Sequence, residues 1–287
     1  KMRAKNASGM PSPARNSLAT DIVKRYLHNK AAVVGAVILI VILFGIIFAN
    51  LLVPSELVTA YNTKAKLQTP NAEHWFGTDN VGRDLFTRVL YGARISVGIG
   101  VGATLLSLII GAAIASVCAL SKKADFVIMR VVDVVTCIPG ILLALVLLAV
   151  LGGSVFIVSV PGFVLHIRAV VLGVVEQDYV KAARISGTKP VKLVLKHILP
   201  NAIDPIIVDA TMTISGMMLS AAGLSFIGVG VAPPAPEWGA MLNYAQQYMR
   251  TAPYMAIFPG LAIALTALSI NLVGDGLRDA LDPKSTK

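Results

Sequence analysis

Five runs without a single charged residue dominate this sequence: residues 31–52, 95–121, 134–165, 210–236 and 251–274. A helix needs about 20 apolar residues to cross the hydrocarbon core of a bilayer, and every run reaches that length. Residues 134–165 exceed one span. With the apolar stretch 169–175 they read as a hairpin of two helices, turning near Gly152, Gly153 and Ser154. The pattern predicts an all-α polytopic membrane protein with six transmembrane helices. Composition agrees, with 56% of the 287 residues hydrophobic and 14% charged. An ordinary soluble domain carries roughly 25% charged residues. A single water-soluble core could not hide so much apolar surface, which excludes soluble enzyme folds and disordered chains.

Charge placement orients the helices. Most of the 25 Lys and Arg fall in residues 1–30, 122–130, 168–196 and 275–287. An even number of spans puts these segments on one side, and the positive-inside rule makes that side the cytoplasm, with both termini in it. The net charge of +10 is thereby explained by membrane orientation, and nucleic acid is not a partner. The first apolar run is too long for a signal-peptide core and reads as a retained helix. Cys118 and Cys137 lie in apolar surroundings and form neither a disulfide framework nor a metal cage.

The chain divides into a cytoplasmic tail (1–30), a first helix plus extracytoplasmic insert (31–94), a five-helix core (95–276) and a C-terminal tail (277–287). Within the insert, residues 84–91 have helical apolar spacing and read as an interfacial helix. Residues 233–236 predict a rigid turn before a short helix at 241–249, with Trp238, Tyr244 and Tyr248 as an aromatic belt. The one substantial cytoplasmic loop, residues 176–200, reads as helices at 177–186 and 190–199 broken at Gly187. Thr188 is the expected N-cap of the second, and Pro190 sits in its tolerated first turn. Val180, Ala182 and Ala183 offer small apolar surface, and Lys181, Arg184, Lys192 and Lys196 are exposed bases. Such a corner either seats in a partner's cleft or is an ordinary solvated loop.

The run Lys181-Ala182-Ala183-Arg184-Ile185-Ser186-Gly187, followed by His197-Ile198-Leu199-Pro200-Asn201, resembles the EAA loop of ABC-importer permeases. The Ala-Ala, the Gly and the Leu-Pro match in spacing, while the motif's Glu is Lys181 and its Ile is His197. Residues 76–84, 232–239 and 271–283 resemble the second permease subunit of the dipeptide, oligopeptide and nickel importers. The likeness runs from about Lys24 to Pro283. It implies the type I permease fold and alternating access. The implied partners are a second permease, two cytoplasmic ATPases carrying ATP and Mg2+, and an external binding protein. It also implies no cofactor and no catalysis in this chain, in the plasma membrane of a prokaryote. The ATPase-docking residues so implied are Asp178, Tyr179, Lys181, Ala182, Ala183, Arg184, Ser186, Gly187, Leu199 and Pro200. Between Gly152 and Pro161 the family carries more residues, so that either the fourth helix is tilted and truncated or residues are missing there, the reading preferred here; the count of six spans leans on it.

Other readings remain open. The same motifs suit a nickel or glutathione importer, and a self-contained channel or secondary transporter is the alternative of another class. No Gly-x-x-x-x-Gly-Lys-Ser/Thr occurs, so ATP is not bound through a P-loop. Gly98, Gly100 and Gly102 read as helix-packing positions. The four histidines are scattered and predict no metal site. Met212, Met217 and Met218 are candidates for a permissive substrate passage, against plain helix packing. Asp204 and Asp209 either mark a polar pathway or pair with loop bases, and Arg130 and Asp133 read as a structural pair.

Overall fold

Lipid offers no hydrogen bonds to a backbone, so the apolar runs must close their own as helices. The computed structural model describes residues 15–151 and 155–281. Five of its helices are long and apolar enough to cross a membrane, or six where a bent pair is counted as one span. The amphipathic helix α1 (Arg15–His28) leads into the first span, α2 (Lys30–Leu52). Asn29 between them caps α2, its side chain accepting from the amide of Ala32 at 3.2 Å.

After the insert comes α3 (Leu85–Leu120). This helix absorbs the separate interfacial helix expected at 84–91. Asp84 caps its start by accepting from the Thr87 amide at 2.7 Å, and no proline interrupts its length. At 1.5 Å per residue it is about 54 Å long, which carries it beyond a bilayer core of about 30 Å.

The next two helices, α4 (Lys122–Thr136) and α5 (Gly140–Leu151), meet at a bend of 94°. The uncharged run beginning at residue 134 concealed this break. Pro139 cannot donate to the ladder and disfavours helix at Ile138, so one run is shared between two helices. Arg130 and Asp133 do pair on α4, at 3.9 Å. The turn expected at Gly152, Gly153 and Ser154, and with it the expected missing residues there, lies outside the described residues. α6 then runs from Val155 to Val175.

The largest departure concerns the next span. Rather than starting near residue 210, it is continuous from Pro190 to Phe226. It comprises α8 (Pro190–Leu193), one π turn (Val194–Ile198) and α9 (Leu199–Phe226). Pro200 would end an ordinary helix by clashing with the carbonyl four residues back, but here it follows a widened turn. The side-chain amide of Asn201 donates to the His197 carbonyl at 2.7 Å, satisfying one of the loosened acceptors. Two short helices close the chain's other end, α10 (Trp238–Ala245) and a 3-10 turn at Gln246–Tyr248, before α11 (Tyr254–Leu281). Trp238 is not part of an aromatic belt. It is 2% exposed, and its indole N–H donates to the Val89 carbonyl at 2.9 Å.

α3 packs against α2, α4, α6, α9, α10 and α11 and is the axis of the bundle. Close approach is allowed by small residues: a Cβ on Gly111 would sit 2.6 Å from the Cβ of Phe163 on α6. Of the three glycines expected to pack, only Gly100 does so, against Met218 and the Ile214 carbonyl. Gly98 and Gly102 have nothing within 4 Å. Hydroxyl bonds between helices, Ser107 with Ser159 at 2.7 Å and Ser215 to Asn271 at 2.6 Å, add polar links inside the bundle. Outward faces carry Val34, Val37, Ile40, Val41 and Phe44 on α2, and Ile141, Leu142 and Val146 on α5, all exposed. That surface is suited to lipid.

These contacts predict opposite responses at two glycines of one helix. Gly111→Ala should lower the unfolding stability of the detergent-solubilised protein by about 1–3 kcal/mol, as overpacking does. Gly98→Ala, with open space and better helix propensity, should not lower it. Thermal or denaturant unfolding of the two variants checks this.

Candidate functional site

Loop 176–200 turns out to be built as a stiff corner. α7 (Asp178–Ile185) presents Val180, fully buried, to a cluster formed by Ala115 of α3, Phe163, Ile167 and Val171 of α6, and Ala202 of α9. Leu193, Val194 and Ile198 enter the same cluster from the other arm of the corner. Both arms therefore rest on the membrane helices and not merely on each other.

The corner itself is closed at Gly187, where φ is +79°. The Thr188 amide donates to the Ala183 carbonyl at 3.2 Å, and the Gly187 amide to Arg184 at 3.1 Å. This is a Schellman ending, which requires a left-handed residue at that place. Thr188 consequently serves the end of α7 and does not cap α8. The capping position of α8 is Lys189, which makes no side-chain cap bond.

With Val180 turned inward, other residues face out. Asp178, Tyr179, Lys181, Ala182, Arg184, Ser186 and Gly187 are exposed, Ala183 is half-buried, and Lys181 reaches Asp178 at 3.6 Å. Ser186 donates from its hydroxyl to the Ala182 carbonyl at 2.9 Å. Leu199 is half-buried on the anchoring cluster and Pro200 is exposed. The structure adds apolar residues that were not singled out in the sequence: Ile185 is 87% exposed, Val191 58% and Leu195 62%. No sequence signal marked them, since which apolar side chains of the loop turn outward depends on Val180, Leu193 and Val194 being the ones that anchor it. The loop thus exposes three large apolar side chains along with the bases Lys181, Arg184, Lys189, Lys192 and Lys196.

The three methionines do not share a face. Met218 is buried against α3 and Met217 is half-buried. Met212 borders a cavity of about 710 Å³ between α6, α9 and the end of α11. Asp204 and Asp209 also line it, and Asp209 pairs with no loop base. It meets His166 of α6, Nδ1 to Oδ1, at 3.1 Å. Among the described residues no three His, Cys, Asp or Glu side chains gather as metal ligands would.

Comparison with known proteins is decisive at this point. Residues 103–287 match the binding-protein-dependent transport system inner membrane component family, and residues 17–70 match the N-terminal TM domain of oligopeptide transport permease C. The chain belongs to the binding-protein-dependent inner membrane component family. The dipeptide transport system permease protein DppC of Alkalihalophilus pseudofirmus is 42% identical over 272 residues, covering 92% of this chain and 89% of that protein. The glutathione transport system permease protein GsiD of Escherichia coli is 41% identical over 273 residues, covering 91% and 89%. The protein is a multi-pass membrane permease subunit of an ABC importer, with the type I permease fold.

Elsewhere in this permease, the stretches that carried the family likeness hold the far end of the bundle together. Asp79 accepts from Arg83 Nε at 2.6 Å, and Arg88 donates to the carbonyls of Val58 at 3.0 Å and Pro234 at 3.3 Å. Buried Glu237 caps α10 through the amides of Gly239 and Ala240 at 2.9 and 2.7 Å, and takes the Ser96 hydroxyl of α3 at 3.2 Å. At the loop end, Asn29 donates to Asp279 at 3.0 Å, and Arg168 forms a two-bond pair with Asp125, one bond at 2.7 Å.

The corner predicts a graded response at Gly187. A β-branched residue in the left-handed region costs more than the roughly 1–2 kcal/mol typical of L-residues there, whereas Asn tolerates it. Gly187→Val should raise hydrogen exchange at the amides of Gly187 and Thr188 in the permease, and Gly187→Asn should leave them nearly as protected as in the parent.

Proposed function

We propose that the permease forms half of a translocation pathway for di- and oligopeptides, with a second, homologous permease forming the other half. Two cytoplasmic ATPases, which hold the ATP and Mg2+, drive it, and an extracytoplasmic binding protein delivers the peptide. Both termini and loop 176–200 face the cytoplasm of a prokaryotic cell, and this chain binds no cofactor and performs no covalent chemistry. The loop is the ATPase-docking element: Tyr179, Ala182, Arg184, Ser186 and Gly187 are exposed for that contact, while half-buried Ala183 packs on the anchoring cluster and lets the corner stay compact. Where the family motif has Glu, Lys181 stands, so the contact there relies on apolar fit and on a base.

One observation carries this reading. The exposed apolar side chains Ile185, Val191 and Leu195 belong to a corner fixed by Val180, Leu193 and Ile198 to three membrane helices. An apolar surface in water is costly unless it meets a partner, and a stiff mount passes a push onward to α6 and α9. Closing of the ATPase pair would rock this body between inward-open and outward-open states. The peptide assignment is supported by the dipeptide permease relative, and the name of the glutathione permease relatives favours a second reading in which the peptide is glutathione.

The test is reconstitution of the permease with its partner permease, ATPases and binding protein in proteoliposomes. ATP-dependent uptake of a radiolabelled dipeptide that stops without the binding protein is the expected result. Uptake of glutathione in preference to dipeptides would select the second reading. Transport by this chain without any ATPase would contradict both.

A further inference from the structure

The cavity between α6, α9 and α11 is lined by four ionisable groups. His166 lies within α6, Asp204 and Asp209 within the span Pro190–Phe226, and Arg278 within the last turns of α11. Such groups in membrane helices face water or protein, and by default mark a route for a polar passenger. His166 and Asp209 satisfy one another at 3.1 Å. Asp204 and Arg278 do not: both are exposed, and among the described residues neither has a hydrogen-bond or ion-pair partner, although they line the same space of about 710 Å³. A carboxylate and a guanidinium that line one cavity and are not paired with each other complement a molecule carrying both an ammonium and a carboxylate. The same lining includes Leu165, Ile206, Val208 and Met212, apolar side chains that accept groups of varied shape.

We propose that this cavity is a way-station for the passing peptide, with Asp204 taking its N-terminal ammonium and Arg278 its C-terminal carboxylate. The inference rests on the peptide-importer reading above and adds the place and chemistry of contact. Two opposite charges in an apolar lining grip the backbone termini that every short peptide shares. The fit is indifferent to sequence, as a pathway must be when selection occurs in a separate binding protein. Arg278 can donate two parallel N–H bonds to a carboxylate, which lysine could not.

The test uses the assembled importer in nanodiscs, open to both aqueous sides. Met212→Cys is introduced with Cys118→Ala and Cys137→Ala, and its reaction with a charged, membrane-impermeant methanethiosulfonate is followed. The reagent should modify Met212→Cys, and free dialanine should slow the reaction, whereas dialanine capped at both termini should not. Asp204→Asn or Arg278→Gln should raise the dialanine concentration needed for protection by about tenfold to a hundredfold, as expected for one lost charge-assisted contact. Asp204→Glu should keep protection, and copurification of the ATPases confirms that each variant assembles. Absence of modification in every nucleotide state would overturn the proposal, because the cavity would then be sealed by protein or lipid. Equal protection by free and capped dialanine, or protection that survives both substitutions, would overturn it too. Loss of ATP-dependent dipeptide uptake by the unsubstituted importer would instead strike at the functional reading itself.

Discussion

The burial of Val180 against α6, with Leu193, Val194 and Ile198 closing over it, is the contact on which the rest of this permease depends. Burying each such side chain is worth about 1.5–3 kcal/mol, enough to set the corner's position without any hydrogen bond from its outer face. Because those anchors point inward, Ile185, Val191 and Leu195 are forced outward. The same contact that stiffens the loop thus leaves these apolar side chains exposed. A floppy loop with the same sequence of charges could touch a partner but could not move α6 and α9 with it.

At the opposite end the constraint is polar. Glu237, Ser96 and Trp238 tie the turn before α10 to α3, and Asp79 with Arg83 and Arg88 ties the insert to the same helix. Buried ionic groups of this kind contribute little net stability when complete, but leaving one unpaired costs several kcal/mol. They fix geometry. Between the two ends, α3 contacts its neighbours through Gly100 and Gly111, where helices approach too closely for a side chain. The described bundle is therefore clamped at both ends and closely packed along its axis, and rigid-body rocking against a second permease suits it better than internal bending.

Most of the fold was legible because hydrocarbon imposes one rule, an apolar run of sufficient length; residues 31–52 obey it almost to the residue, and 251–274 overlap a helix that runs from Tyr254 to Leu281. The misreadings share a cause. Hydropathy locates apolar surface but not helix continuity. Pro139 broke a run that showed no charge, whereas Pro200 failed to break a helix because a π turn preceded it. Trp238 was placed at the interface by residue type, yet its indole N–H had a carbonyl waiting on α3. In loop 176–200 the left-handed Gly187 was readable from local chemistry alone. The outward direction of Ile185 was not, since it depends on contacts with Phe163 and Ile167 made by a neighbour, Val180, across a long sequence separation.

The most direct test of this account is photo-crosslinking from the outer face of loop 176–200. Benzoylphenylalanine would be placed at Ile185 in the native membrane, with Val41 on the lipid face of α2 as the control position. The account predicts that Ile185→benzoylphenylalanine joins the permease to an ATPase subunit in high yield and that Val41→benzoylphenylalanine does not. Adducts from Ile185 only to lipid, or only to further copies of this chain, would contradict it.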